Sequence, residues 1–221
     1  MTPEEKADEA EVRAALRAAG IADEDFGFFA SRDIPEAGIR APRFDFEAAV
    51  PVLVEWLPRA KTALVKERIV RSLTCEKAAT PMALRPLVEE FWRAEEHGLK
   101  WAIGNALATL ADDSIADDLI ELARNTRHGR AREMLMDALA RTKDRRALGT
   151  LVELVDDEDV GGHAISALRS LGPKSSLPYL DRARPALERQ ATEGATPLAR
   201  RQATAALKRL EEAGTIRPHR T

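Results

Sequence analysis

Residues 119–139 read LIELARNTRHGRAREMLMDAL, and the distance between the leucines at its two ends decides the architecture. Leu119 sits in the middle of one apolar stripe and Leu139 belongs to a second, twenty residues further on. Leu135 and Leu139, with Ala131, recur at the spacing of one helix face. The intervening "TRHG" is a polar turn whose glycine suits a helix stop. The stretch therefore predicts two helices joined by a turn, and no alternation of period two suggests a strand.

The same arrangement recurs along the chain. "LVEW" from Leu53, "LVEE" from Leu87, "LIEL" from Leu119 and "LVEL" from Leu151 succeed one another at 34, 32 and 32 residues, with a degenerate "LDRA" from Leu180 a further 29 on. A second series of a small residue before leucine falls at Leu73, Leu107, Leu139, Leu168 and Leu207. In the first three copies the two anchors are 20 residues apart, whereas the fourth shortens to 17 and the fifth stretches to 27 across "LERQATEGATP". Polar joints at "EEHG", "DDEDVGG", "TKDRR" and "LGPKSS" separate the helices, with left-handed glycines expected before Leu99, Arg130 and His163. Asp144 and Ser175 or Ser176 are expected as N-caps. A lone hairpin cannot cover its apolar face, so these units are expected to stack into an all-α solenoid of five hairpins.

The pattern resembles HEAT repeats, and in particular the short subtype of phycobilisome lyase-like proteins. The anchors carry the resemblance, together with Pro51, Pro86 and Pro178 near the starts of first helices. A basic residue seven before the second anchor, at Lys66, Lys100, Arg132 and Arg200, adds to it. It covers about 45–213, with Gly161 replacing the basic residue in the fourth copy. HEAT arrays serve as scaffolds, lyases, nucleic-acid enzymes and regulators alike, so the resemblance implies a fold rather than an activity.

Outside the repeats, Thr2, Pro3 and Glu5 read as a capping box with a first-turn proline, opening a helix to about Ala19. Five of the six phenylalanines come next, at Phe26, Phe28, Phe29, Phe44 and Phe46. A plug over the exposed end of the first repeat is the preferred reading of this segment, with a lid over the binding surface as the alternative. The expected organisation is a cap over 1–45, a solenoid over 46–213 and a frayed tail over 214–221.

Composition narrows the function classes. With 44% hydrophobic and 32% charged residues, 221 residues suffice for a substantial core. A net charge of −3 does not favour tracking of nucleic-acid phosphates or an anionic membrane. The single cysteine, Cys75, excludes an internal disulfide and reads as a buried, inert thiol. The acidic start lacks a signal-peptide apolar region, and no run approaches a membrane span, so a cytoplasmic protein is expected.

In proteins of this resemblance the second helix of each hairpin usually lines the concave side. With the leucine anchors pointing inward, residues six and two before each anchor lie about 120° and 160° away. They are Glu67 and Arg71, Trp101 and Asn105, Glu133 and Asp137, Gly162 and Ser166, Arg201 and Ala205. Trp101 is the unusual member, because a large aromatic set among polar residues is a common recognition anchor. Burial of Trp101 under the amino-terminal segment is the competing expectation.

Little points to catalysis. His97, His128, His163 and His219 read as surface histidines, and none is followed by Glu, unlike the iron-binding pairs of HEAT-like hydroxylases of the deoxyhypusine type. No phosphate loop, nucleophile triad or His-Glu-x-x-His helix is present. No catalytic residue, cofactor or metal is therefore expected. HEAT-like alkylpurine DNA glycosylases offer a rival reading, with Trp101, Asp137 and Arg71 in the working positions. The acids on the same face oppose it. A bilin-lyase-like role has only the repeat core in its favour. The expected function is a non-enzymatic scaffold that binds a protein segment.

Overall fold

The computed structural model describes residues 1–24, 26–27, 44–75 and 81–215. It is all-α, of the stacked-hairpin solenoid class that the anchor spacing predicts, and no strand occurs among the described residues. No helix among them is long and apolar enough to cross a membrane. Two compact units are distinguished, Met1–Ile115 and Ala116–Thr221.

The first unit holds α1 (Pro3–Ala18), α2 (Phe46–Trp56), α3 (Ala63–Leu73), α4 (Pro81–Arg93) and α5 (His97–Leu110). α2 packs on α3 and α4 on α5, while α2 also meets α4 and α3 meets α5. First helices thus stack on first helices and second on second, which is how consecutive hairpins cover one another's apolar faces. Leu53, Leu73, Leu87 and Leu107 are all fully buried in this core. Pro51 and Pro86 are interior to their helices rather than at the starts. A proline there removes one backbone donor and crowds the carbonyl four residues before it.

The capping box forms: the Thr2 hydroxyl accepts from the Glu5 amide at 3.1 Å, and the Thr2 amide donates to the Glu5 carboxylate at 2.6 Å. α1 is pinned by buried carboxylates. Asp8 accepts from the Lys61 amide at 3.0 Å and from the Thr62 amide and hydroxyl at 2.8 Å, at the N-terminus of α3, where negative charge is favoured. Glu9 accepts from Arg13 and Arg68, both at 2.7 Å. Phe26 and Phe44 are buried with ring centroids 6.4 Å apart, and the Gly27 amide donates to the Ser72 hydroxyl at 3.0 Å. These contacts tie residues 26 and 27 to the first unit. Phe28 and Phe29 lie outside the described residues.

The second unit holds α6 (Ala116–Arg124), α7 (Leu135–Thr142), α8 (Arg145–Glu153), α9 (Gly161–Ser170), α10 (Pro173–Arg182), α11 (Arg184–Glu193) and α12 (Pro197–Thr215). α6, α8 and α10 form one layer, and α7, α9 and α12 the other. Leu119, Leu139, Leu151, Leu168 and Leu180 are fully buried.

The structure corrects several local expectations. Of the three left-handed glycines expected between helices, only Gly129 has a positive φ, of 52°; Gly98, Gly161 and Gly162 are helical. The N-cap before α10 is Gly172, not Ser175 or Ser176, with Pro173 opening the helix. The 27-residue interval of the fifth repeat contains an additional helix, α11, which resets the register of α12. In α12 the buried stripe is Ala199, Ala203, Ala206 and Leu210, and the expected anchor Leu207 is only half-buried. The tail from Gly214 falls almost wholly outside the described residues, and α12 runs to Thr215.

Candidate functional site

On α5 the inward stripe is Leu99, Ile103 and Leu107, at 3%, 0% and 0% exposure. The opposite stripe carries Trp101, 42% exposed, and the half-buried Asn105. The register inferred from the anchors is therefore correct for this helix, and the indole is not core. α3, the neighbour of α5, presents Glu67 and Arg71, which pair with each other one turn apart, Arg71 Nε donating to Glu67 Oε1 at 3.0 Å. This pairing compensates the Arg71 charge. Both residues also line a cleft of about 380 Å³ walled by Arg13, Phe26 and Arg68. Arg13, Phe26 and Gly27, of the described part of the amino-terminal segment, thus border the face carrying Glu67 and Arg71.

Glu133 and Asp137 belong to the second unit. Glu133 accepts from Arg130 Nε at 2.8 Å, and its other oxygen lies 3.7 Å from His163 Nε2. Asp137 is exposed, yet burial of its surroundings pushes its carboxyl above the usual range, with the His163 charge opposing that shift. The sequence reading puts His163 near a surface turn. It is instead the third residue of α9, half-buried and turned toward these two acids. Its alignment with Glu133 comes from stacking of α9 on α7, a contact between repeats that spacing within one repeat does not disclose.

Gly162 and Arg201 depart from the expected face in different ways. Gly162 is buried, and a Cβ added to it would stand 2.9 Å from the Ala199 amide nitrogen, so it serves close packing of α9 on α12. Arg201 is exposed and Ala205 half-buried in a helix whose register is reset. Three members of the basic series, Lys66, Lys100 and Arg132, make packing contacts of three different kinds. Lys66 meets the buried Glu90 at 2.6 Å. The Lys100 ammonium lies 5.6 Å from the Phe91 ring centroid, and burial lowers its pKa. Arg132, 1% exposed, is held by Asp157 of the next repeat. For Lys66 and Arg132 the acid comes from the next repeat, not from the preceding turn.

Among the described residues no group of three or more His, Cys, Asp or Glu side chains is placed to hold a metal ion. Residues 116–208, which span α6 to most of α12, are similar to the family model for HEAT repeats. No curated protein matches the sequence.

Proposed function

We infer that this HEAT-repeat chain is a non-enzymatic, cytoplasmic protein-binding module, and that Trp101 anchors a segment of a protein partner. The observation that carries this reading is an indole 42% exposed on the side of α5 opposite Leu99, Ile103 and Leu107. An exposed indole offers a large apolar area with a single N–H donor, the chemistry found at interface hot spots. Asn105 one turn along α5 supplies donors and acceptors, and the Glu67–Arg71 pair on α3 supplies a polar border. In the second unit Glu133 and Asp137 form an acidic patch of their own, suited to basic residues of a partner. The anchors and the basic series also support the short phycobilisome lyase-like subtype of the repeat.

The DNA-glycosylase reading has less support, because it needs Arg71 free for phosphate whereas Glu67 holds it. The bilin-lyase-like reading has only the repeat core in its favour.

The test compares the intact protein with Trp101→Ala by affinity purification and mass spectrometry, completed by direct binding of the purified partner. Truncating an exposed indole leaves helicity and melting within about 1 kcal/mol of wild type, while partner affinity falls by tenfold or more. Collapse of the fold, or undiminished affinity for every recovered partner, overturns the reading. Duplex DNA at low salt is expected to show no binding, and release of alkylated bases would move the protein into the glycosylase class.

A further inference from the structure

Trp101 exposes an aromatic face, and the charges around it select what that face can seat. In the turn that opens α5, Glu95 and Glu96 are both exposed, and among the described residues neither forms an ion pair. Glu96 directly precedes the helix, yet its side chain makes no capping bond. Neither carboxylate is therefore spent on the protein itself. Gly98, three residues before Trp101, has nothing within 4 Å of where a Cβ would stand, so the approach to the indole from that side is open.

The cations of these helices are occupied. Arg93 pairs with Glu89 at 3.3 Å, and Arg71 is held by Glu67. The Lys100 ammonium lies 5.6 Å from the centroid of the fully buried Phe91 ring, so this side chain turns inward, away from the exposed face. The charge left uncompensated at the start of α5 is negative. The first unit as a whole has the same sign, since residues 1–115 contain 21 Asp and Glu against 15 Lys and Arg, whereas residues 116–221 contain 16 against 19. A field of this sign draws a cationic group and repels an anionic one.

We propose that the partner segment is basic and seats an arginine on Trp101, with Glu95 and Glu96 supplying the opposite charge. The proposal rests on Trp101 being the anchor. Indole is the aromatic ring that best holds a cation, and an exposed contact of this kind is weak by itself. A guanidinium stacks flat on the ring while its N–H edge stays free for carboxylates, which an ammonium cannot do. The ring and the two acids thus act on different parts of one side chain.

The test titrates the full chain, at low and fixed ionic strength and at pH 8, where histidine is ordinarily neutral. The probes are a short glycine–arginine peptide with blocked ends and two counterparts carrying citrulline or glutamate in place of arginine. The readout is the Trp101 indole Nε1–H resonance, identified by its loss in Trp101→Leu. A saturable shift is expected with the arginine peptide, with affinity about tenfold or more lower for the uncharged citrulline peptide and no shift with glutamate. Trp101→Leu, which keeps apolar surface without the ring, should lose the response of the α5 amides. The double variant Glu95→Gln, Glu96→Gln should bind the arginine peptide about twofold to tenfold more weakly, and added salt should do the same to wild type. An equal response to citrulline, a preference for glutamate, full affinity in the double variant or no shift at all overturns the proposal. Any of these leaves the anchor reading standing as long as Trp101→Ala loses its captured partners. That reading falls, whatever the peptides do, when Trp101→Ala keeps its affinity for every recovered partner.

Discussion

Arg132 shows how a charge becomes a core residue. Its guanidinium, 1% exposed, makes two bonds to Asp157 at 2.9 and 3.0 Å and donates to the carbonyls of Ala123 and Gly129, each at 3.0 Å. Burial works to raise the Asp157 carboxyl, but Arg132 and the amides of Val160 and Asp159 outweigh it and hold the group below the ordinary carboxylate range. A carboxyl whose folded pKa lies below its unfolded value, near 3.9, stabilises the fold fully above that value. The contribution is lost as the pH falls through the folded value. Asp157→Asn should therefore be clearly less stable than wild type at pH 7, with the gap narrowing toward pH 3. Urea unfolding at pH 7, 5 and 3 measures this, and an unchanged gap at pH 3 contradicts the assignment. Arg132→Met is harsher at neutral pH, about 3–5 kcal/mol, since it strands a desolvated carboxylate. Trp101 is the opposite case at this scale, a large apolar group whose removal the fold should barely register.

At the scale of helices, the legible features are those set by an unbroken interval. Leu53, Leu87, Leu119, Leu151 and Leu180 are all fully buried, because each lies mid-helix in a layer of like helices and its spacing alone places it. Spacing cannot show how closely neighbouring backbones approach. The basic series is interrupted at Gly161 because a Cβ there would stand 2.5 Å from the Val155 carbonyl oxygen, leaving no room for a side chain. Likewise α11 is hidden inside a long interval, although Pro185 at its second position is a legible helix start. The extra helix displaces the α12 register, so spacing misplaces Leu207 while it places Trp101, within a regular repeat, correctly. Packing also predicts opposite signs for one substitution. Gly149 lies inside α8 with nothing within 4 Å of an added Cβ, so Gly149→Ala should stabilise by up to about 1 kcal/mol through helix propensity. Gly162→Ala drives a methyl into the α12 backbone and should destabilise by about 1–3 kcal/mol despite the same gain in propensity. Thermal unfolding of the two variants side by side decides the point, and equal signs would refute the close approach of α9 and α12.

At the scale of the whole chain, stability in stacked hairpins comes mainly from each hairpin and its immediate neighbours, so a lesion need not be felt everywhere equally. The contacts fall into two compact units meeting in sequence at Ile115 and Ala116. Leu168 tests what this division means energetically. It is fully buried in α9, which packs on α7, α8, α10 and α12, so Leu168→Ala should cost about 2–5 kcal/mol within the second unit. Local opening energies are read by amide hydrogen exchange. Exchange in α6 to α12 should accelerate together by the factor that this loss implies, while the amides of α1 to α5 keep most of their protection. Were the protection of α3 and α5 to fall by the same factor, the chain would unfold as one block, and a substitution in either half would control the population of the Trp101 face. With separate responses, the second unit can open while that face stays intact, and Leu168→Ala would leave partner capture through Trp101 unchanged.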